Sequence, residues 1–112
     1  MAKEPAMTRA EAEESITIGI QMAAQLADNG VDLLATGEMG IGNTTASSAI
    51  FSVLGKLSVA DVTGRGTGID DKTLNKKISV IQQALEKHSP DPEDPIDILA
   101  KVGGYEIGGI MG

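Results

Sequence analysis

Apolar residues recur at helical spacing between residues 9 and 28, where Ile16, Ile20, Ala23 and Ala27 fall on one face. The stretch opens on "TRAE", with Thr8 in the N-cap position and Glu11 three residues on, which is the capping-box pattern. Asn29-Gly30 stops it. A second helix is predicted from about Thr44 to Leu54, ending at Gly55, and "SVADVT" supplies one short helical turn. The clearest helix follows: Asp70 or Asp71 caps it, Leu74, Ile78, Ile81 and Leu85 form its stripe, and Lys87 and His88 suit its C-terminal dipole. "SPDPEDP" reads as a rigid connector whose acids, Asp91, Glu93, Asp94 and the nearby Asp97, are solvated. "IDILAKVGGYEIGGIMG" starts a helix and then meets glycines.

One stretch breaks the helical pattern. "VDLLAT", Val31 to Thr36, is a short apolar run between turn residues, the signature of a strand buried on both faces in a parallel sheet. Such a strand needs neighbours that this chain hardly supplies. The fold class expected is therefore α/β: a fragment of a Rossmann-like parallel-sheet domain, mostly helical, with one clear strand (31–36) leading into a glycine-rich loop and a helix. The 112 residues form one partial domain ending in mid-element at Gly112, with residues 1–7 as a loose leader. The other solution is a helical unit that covers its strand by self-association.

Composition narrows the chemistry. Aromatics are 2% of the chain, Phe51 and Tyr105, so the core is built from aliphatic residues and Ala, and elements can approach closely. Glycine, at 14 of 112 residues, is well above the usual share of about 7% and points to tight turns and backbone-lined sites. A formal net charge of −7 repels nucleic acid and anionic membrane surfaces, and the basic stripe with aromatics that a nucleic-acid module wants is missing. Without cysteine there is no disulfide, thiolate nucleophile or zinc-thiolate site. No apolar run approaches about 18 residues and no signal peptide opens the chain, so a soluble cytoplasmic protein is expected. The spacing of the acids matches no metal loop, and no cofactor is indicated.

The candidate chemistry lies in "GEMGIGNTTASS", Gly37 to Ser48. A glycine loop that runs into a helix presents free backbone N–H groups and the positive end of the macrodipole, a setting that favours phosphate. Gly40 and Gly42 let the backbone come close, Asn43, Thr44 and Thr45 add donors, and the small residues from Ala46 to Ala49 let the helix lie close to what it covers. The spacing is near that of a P-loop, but Asn43 stands where the phosphate-reaching lysine belongs, which argues against an NTPase. A plain tight turn explains the pattern about as well. Glu38 either hydrogen-bonds ribose hydroxyls, braces the loop's own amides or is a solvated acid. Lys77 falls beside the apolar stripe of its helix while Lys76 points away, so its ammonium either snorkels to water or reaches an anion held by the loop. Arg65 and Thr67, in the second glycine cluster "GRGTG", are further candidates, with a turn as the simpler reading. His88 is best read as a helix-terminal residue.

The segments "GEMGIGNTTASSA", "VTGRGTGIDDKTLNKK" and "GGYEIGGIMG", with "TRAEAEESITIGI" and "GVDLLATGEMG", strongly resemble the nicotinate-nucleotide–dimethylbenzimidazole phosphoribosyltransferase family of cobalamin (vitamin B12) biosynthesis, from about Thr8 to Gly112. The resemblance implies transfer of phosphoribosyl from nicotinate mononucleotide to 5,6-dimethylbenzimidazole, with inversion at the anomeric carbon, giving α-ribazole 5′-phosphate and nicotinate. It implies nicotinate mononucleotide or α-ribazole phosphate as ligand. By motif, Gly40, Gly42, Asn43, Thr44 and Thr45 correspond to the phosphate site, Glu38 to an acid near the ribose and its phosphate, and Lys77 to a phosphate-binding lysine; Gly66 and Thr67 line the same cavity. Members of the family are much longer chains, and the resemblance puts their catalytic glutamate base beyond Gly112, so no residue here is assigned as catalytic and Glu106 does not replace that base. The chain is then expected to be inactive alone and to need either the remainder of the enzyme or further copies of itself. The alternative is a non-catalytic, self-associating binding or assembly module.

Overall fold

The computed structural model describes residues 1–66 and 68–112. Among the described residues six helices follow in order: α1 (Arg9–Asp28), α2 (Thr44–Gly55), α3 (Val59–Val62), α4 (Asp71–His88), α5 (Pro95–Val102) and α6 (Tyr105–Met111). Local chemistry sets their starts. Thr8 and Glu11 form the full capping box of α1. Ser58 caps α3, Asp70 caps α4 through the Thr73 amide, and Asp94 caps α5 by accepting from Ile96 and Asp97. Pro95 opens α5 at a position where a missing N–H costs nothing.

The helix α5 is the pillar of the core. Ile98, Leu99, Ala100 and Val102 are all buried, so this short helix is wrapped on nearly every side. Ile98 and Val102 join Ala49, Val59 and Ile81 in one cluster, flanked by Ile78 and Leu85 of the α4 stripe. Leu99 and Ala100 join Met7 and Ala12 in another. Full burial of each large aliphatic side chain among these contributes about 1.5–3 kcal/mol. Small residues then control distance. Ala46, Ser48, Ala49 and Ser52 are the buried face of α2, with the Ser48 hydroxyl donating to the Val62 carbonyl (3.2 Å) and Ser52 to that of Leu57 (2.8 Å). This is why α2 carries no bulky side chain until Ile50: its first turns lie close against their neighbours.

Four expectations need correction. Among the described residues there is no strand: residues 31–40 have no regular secondary structure and no ladder partners. Leu33 is 87% exposed, and Val31 and Leu34 are exposed as well. A parallel strand is stabilised only by neighbours on both edges and both faces, and none of the described residues forms such a cover. Residues 1–7 are not loose. Met7 is buried, the Ala6 and Met7 amides donate to the Lys101 and Ala100 carbonyls (3.1 and 2.9 Å), and the His88 ring lies 2.7 Å from the Met1 carbonyl oxygen. On α1 the fully buried residues are Ala12 and Ser15; of the expected face Ile16 and Ala23 are partly buried, with Ile16 packed on the core, while Ile20 and Ala27 are exposed. Of the connector acids Asp91 and Glu93 are exposed, as expected, while Asp94 and Asp97 are structural. Asp94 caps α5 and pairs with Arg9 at 2.6 Å, an interaction that holds its carboxyl below the usual carboxylate range; Asp97 pairs with Lys101 at 2.8 Å.

The radius of gyration, 15.2 Å, exceeds the roughly 13 Å of a compact domain of this length. Met39, Ile41, Phe51 and Leu54 are exposed along with the 31–34 segment. No described helix is long and apolar enough to cross a membrane.

The glycine-rich C-terminal segment acts through contact distance. Gly19 of α1 faces the backbone of Gly109 in α6, and a Cβ at Gly19 would come within 3.0 Å of the Gly109 carbonyl carbon and closer still to its oxygen. In an exposed helix Gly→Ala is favourable by about 1 kcal/mol. Here overpacking costs about 1–3 kcal/mol, so Gly19→Ala lowers the thermal midpoint despite the propensity gain. A raised midpoint in a thermal melt would show that α6 does not press on α1.

Candidate functional site

The site forms where three segments converge on the N-terminus of α2. The loop before α2 turns twice through left-handed backbone, at Gly40 (φ +75°) and Gly42 (φ +87°). Residues with a Cβ rarely adopt those angles, which accounts for the dense glycines of "GEMGIGN". Asn43 then holds the N-cap position of α2, but its side chain makes no capping bond. The contrast with α1, α3, α4 and α5 is informative. Each of those is closed by its own Thr, Ser or Asp, whereas α2 has a capping residue type at its start and leaves its first-turn amides without a bond from it.

Those amides border a cavity of about 420 Å³ lined by Gly40, Gly42, Thr44 and Thr45, by Arg65 and Gly66 of the second glycine cluster, and by the inner face of α4. From α4, Lys77 reaches inward. Its Nζ donates to Thr44 Oγ1 (2.8 Å) and to the Gly64 carbonyl (3.2 Å), so the ammonium is held beside the α2 N-terminus and does not snorkel to water. Gly66 (φ +56°) completes the corner: a Cβ there would lie 3.1 Å from Thr44 Oγ1 and 3.9 Å from Lys77 Nζ. Arg65 contributes a second cation, held by the Ile69 carbonyl (2.9 Å) and the Asp71 carboxylate. Glu38 accepts a hydrogen bond from the Gly40 amide, so this acid braces its own loop.

Gly40, Gly42, Thr44, Thr45, Gly66 and Lys77 thus line one cavity. Asn43 stands at the helix start beside it, and Glu38 is tied to it through Gly40. Thr67 lies outside the described residues. Lys76, expected to point away, also lines the cavity. Sequence reasoning missed Thr73 and Val80, which line the same wall of α4. Their spacing from Lys76 and Lys77, one helical turn to either side, is the signal that finds them. Ile69 and Val80 make part of the wall apolar, so the cavity offers a charged end and a greasy side. Among the described residues no group of His, Cys, Asp and Glu could hold a metal ion. Chemically, the arrangement can bind a compact anion: backbone donors, hydroxyls and an ammonium converge, and among the described bonds no carboxylate engages Lys77.

Comparison with known proteins agrees on one family. A phosphoribosyltransferase family model matches residues 1–112. The nicotinate-nucleotide–dimethylbenzimidazole phosphoribosyltransferase of Chloroflexus aurantiacus is 57% identical over 111 residues, 99% of this chain and 32% of that protein. The protein of the same name from Roseiflexus castenholzii is 60% identical over 109 residues, 97% of this chain and 31% of that protein. The crystal structure of CobT from Thermus thermophilus superposes with a TM-score of 0.85 at 39% identity, covering 97% of this chain and 32% of that one. The chain therefore spans about a third of the length of the relatives it matches. With the family model covering every residue, and these identities over nearly the whole chain, the protein belongs to the phosphoribosyltransferase family.

Proposed function

We propose that this segment holds the nucleotide phosphate in the transfer of phosphoribosyl from nicotinate mononucleotide to 5,6-dimethylbenzimidazole. One observation carries the reading: the uncapped N-terminus of α2 opens into a cavity beside the Lys77 ammonium. A phosphate there accepts from the amides and hydroxyls of Thr44 and Thr45 and from Lys77, and the helix dipole adds to the attraction. Gly40, Gly42 and Gly66 allow the backbone to approach the anion.

Phosphate anchoring fixes the ribose in front of the loop. In the reaction the bond from the anomeric carbon to the pyridinium nitrogen breaks, and a bond to the benzimidazole nitrogen forms on the opposite face. Nicotinate leaves from a pyridinium and needs no general acid. The sugar carries cationic character in the transition state, which the Glu38 carboxylate stabilises from the loop. The benzimidazole gives up its proton to a base. No glutamate of these 112 residues stands in the motif that carries the family's base, so the chain alone gives no turnover. Robust formation of α-ribazole phosphate by the 112-residue chain in a clean assay contradicts that assignment. The exposed apolar side chains around Leu33, Ile41 and Phe51 favour self-association as a further property.

Lys77 supplies the sharpest test. Its Nζ is fixed inside the cavity, whereas Lys76 makes no such bond among the described hydrogen bonds. Loss of a charge-assisted hydrogen bond costs about 1.5–3 kcal/mol, or roughly ten- to a hundredfold in affinity. Lys77→Ala therefore weakens binding of inorganic phosphate or nicotinate mononucleotide by that factor, and Lys76→Ala by less. Equal effects in a calorimetric titration remove Lys77 from the site.

A further inference from the structure

An acid outside the lining of the cavity is tied to it through one lining residue, Gly40. The Glu38 carboxylate takes the amide of Gly40, which lines the cavity with Gly42, Thr44, Thr45 and Lys77. A carboxylate and a phosphate oxygen make the same demand on a backbone N–H: both are anionic acceptors, and one amide hydrogen serves one of them well. Around the loop there is room for the acid to leave. Glu38 is exposed, and added Cβ atoms at Gly37, Gly40 and Gly42 would meet nothing within 4 Å. Release needs side-chain rotation and no repacking of the core. The second cation of the cavity is held in a similar way, since Arg65 is engaged by the Asp71 carboxylate. Lys77, in contrast, is held only by the neutral acceptors Thr44 and Gly64 among the described bonds.

We infer that Glu38 is a built-in competitor: its carboxylate occupies the Gly40 amide as an anion mimic, and phosphate binds by displacing it towards the sugar. The inference rests on the reading of the cavity as a phosphate site and adds an exchange step to it. The exchange gives the loop a defined shape before the nucleotide arrives. It also moves Glu38 off the amide only when a phosphate takes its place, so the carboxylate is released as the ribose is bound. Affinity for a bare phosphate is sacrificed in return, because one hydrogen bond must be surrendered for one gained.

The test is a titration of the 112-residue chain with inorganic phosphate, followed by calorimetry and by hydrogen exchange of the Gly40 amide. Compared are the unaltered chain, Glu38→Ala, Glu38→Gln and Lys77→Ala. Removing the competitor tightens phosphate binding by about two- to tenfold in Glu38→Ala. Glu38→Gln falls between, because its amide oxygen still reaches Gly40 but accepts more weakly. Before phosphate is added, Gly40 exchanges faster in Glu38→Ala than in the unaltered chain. Unchanged or weaker binding by Glu38→Ala, with Lys77→Ala still weakened, overturns the inference and leaves the phosphate site standing. Equal tightening by Ala and Gln with unchanged Gly40 exchange also overturns it, since the effect is then long-range repulsion. Phosphate affinity indifferent to Lys77→Ala defeats the underlying phosphate reading instead.

Discussion

A helix begins with amide groups that have no carbonyl to bond, and every helix must find acceptors for them. In this chain a side chain meets that requirement at α1, α3, α4 and α5, and neither α2 nor the short α6 has such a cap. Of those two ends, the one at α2 borders the cavity, and much of the packing keeps it in place. Ala46, Ser48, Ala49 and Ser52 seat α2 closely on its neighbours. Their side chains are short, so the helix lies close, and Ser48 and Ser52 tie it to the Val62 and Leu57 carbonyls. The α4 stripe in turn is anchored on α5 through Ile81 and Ile98, and Lys77 stands beside that stripe. A line of ordinary packing therefore runs from the core to the position of one ammonium group, 2.8 Å from Thr44 Oγ1.

Local charge decides what the site can bind. The chain as a whole carries a formal −7 and would repel an anion at long range. Within the cavity, Lys76, Lys77, Arg65 and the end of a helix dipole reverse the sign over a few ångströms. Screening limits the unfavourable bulk field to about 8 Å in physiological salt, so the near groups dominate once a phosphate is in contact. The same geometry explains why the loop can hold an acid. Glu38 is two residues from Gly40 and takes its amide, a use of a carboxylate different from the helix caps at Asp70 and Asp94.

Features fixed by near neighbours in the chain were legible from sequence. The capping box at Thr8 and Glu11, the Asp70 cap, the α4 stripe and the left-handed glycines before α2 are each decided within a few residues. Features decided by distant segments were not. Val31 to Thr36 has the composition of a buried strand, yet no described segment pairs with it, so the run stays irregular and exposed. Met7 is an ordinary residue before a helix until the Ala100 carbonyl lies 2.9 Å from its amide. Asp94 of "SPDPEDP" and the nearby Asp97 read as solvated until Arg9 and Lys101 come alongside. Ile20 carried the more apolar face of α1, but the small residues Ala12, Ser15 and Gly19 allowed α6 to approach on another, and backbone proximity won over side-chain size. For the candidate site, pattern and family resemblance point to the glycine loop and Lys77, which line one cavity. Thr73 and Val80 escaped because attention to charge passed over their place on the same helical face.

If the open end of α2 and the ammonium beside it form one anion site, amide shift mapping by NMR during a phosphate titration examines it most directly. The largest saturating changes are expected on the amides of Gly42, Thr44 and Thr45, with α5 and α6 unmoved. Changes that never saturate, or that centre on another part of the molecule, would contradict the assignment.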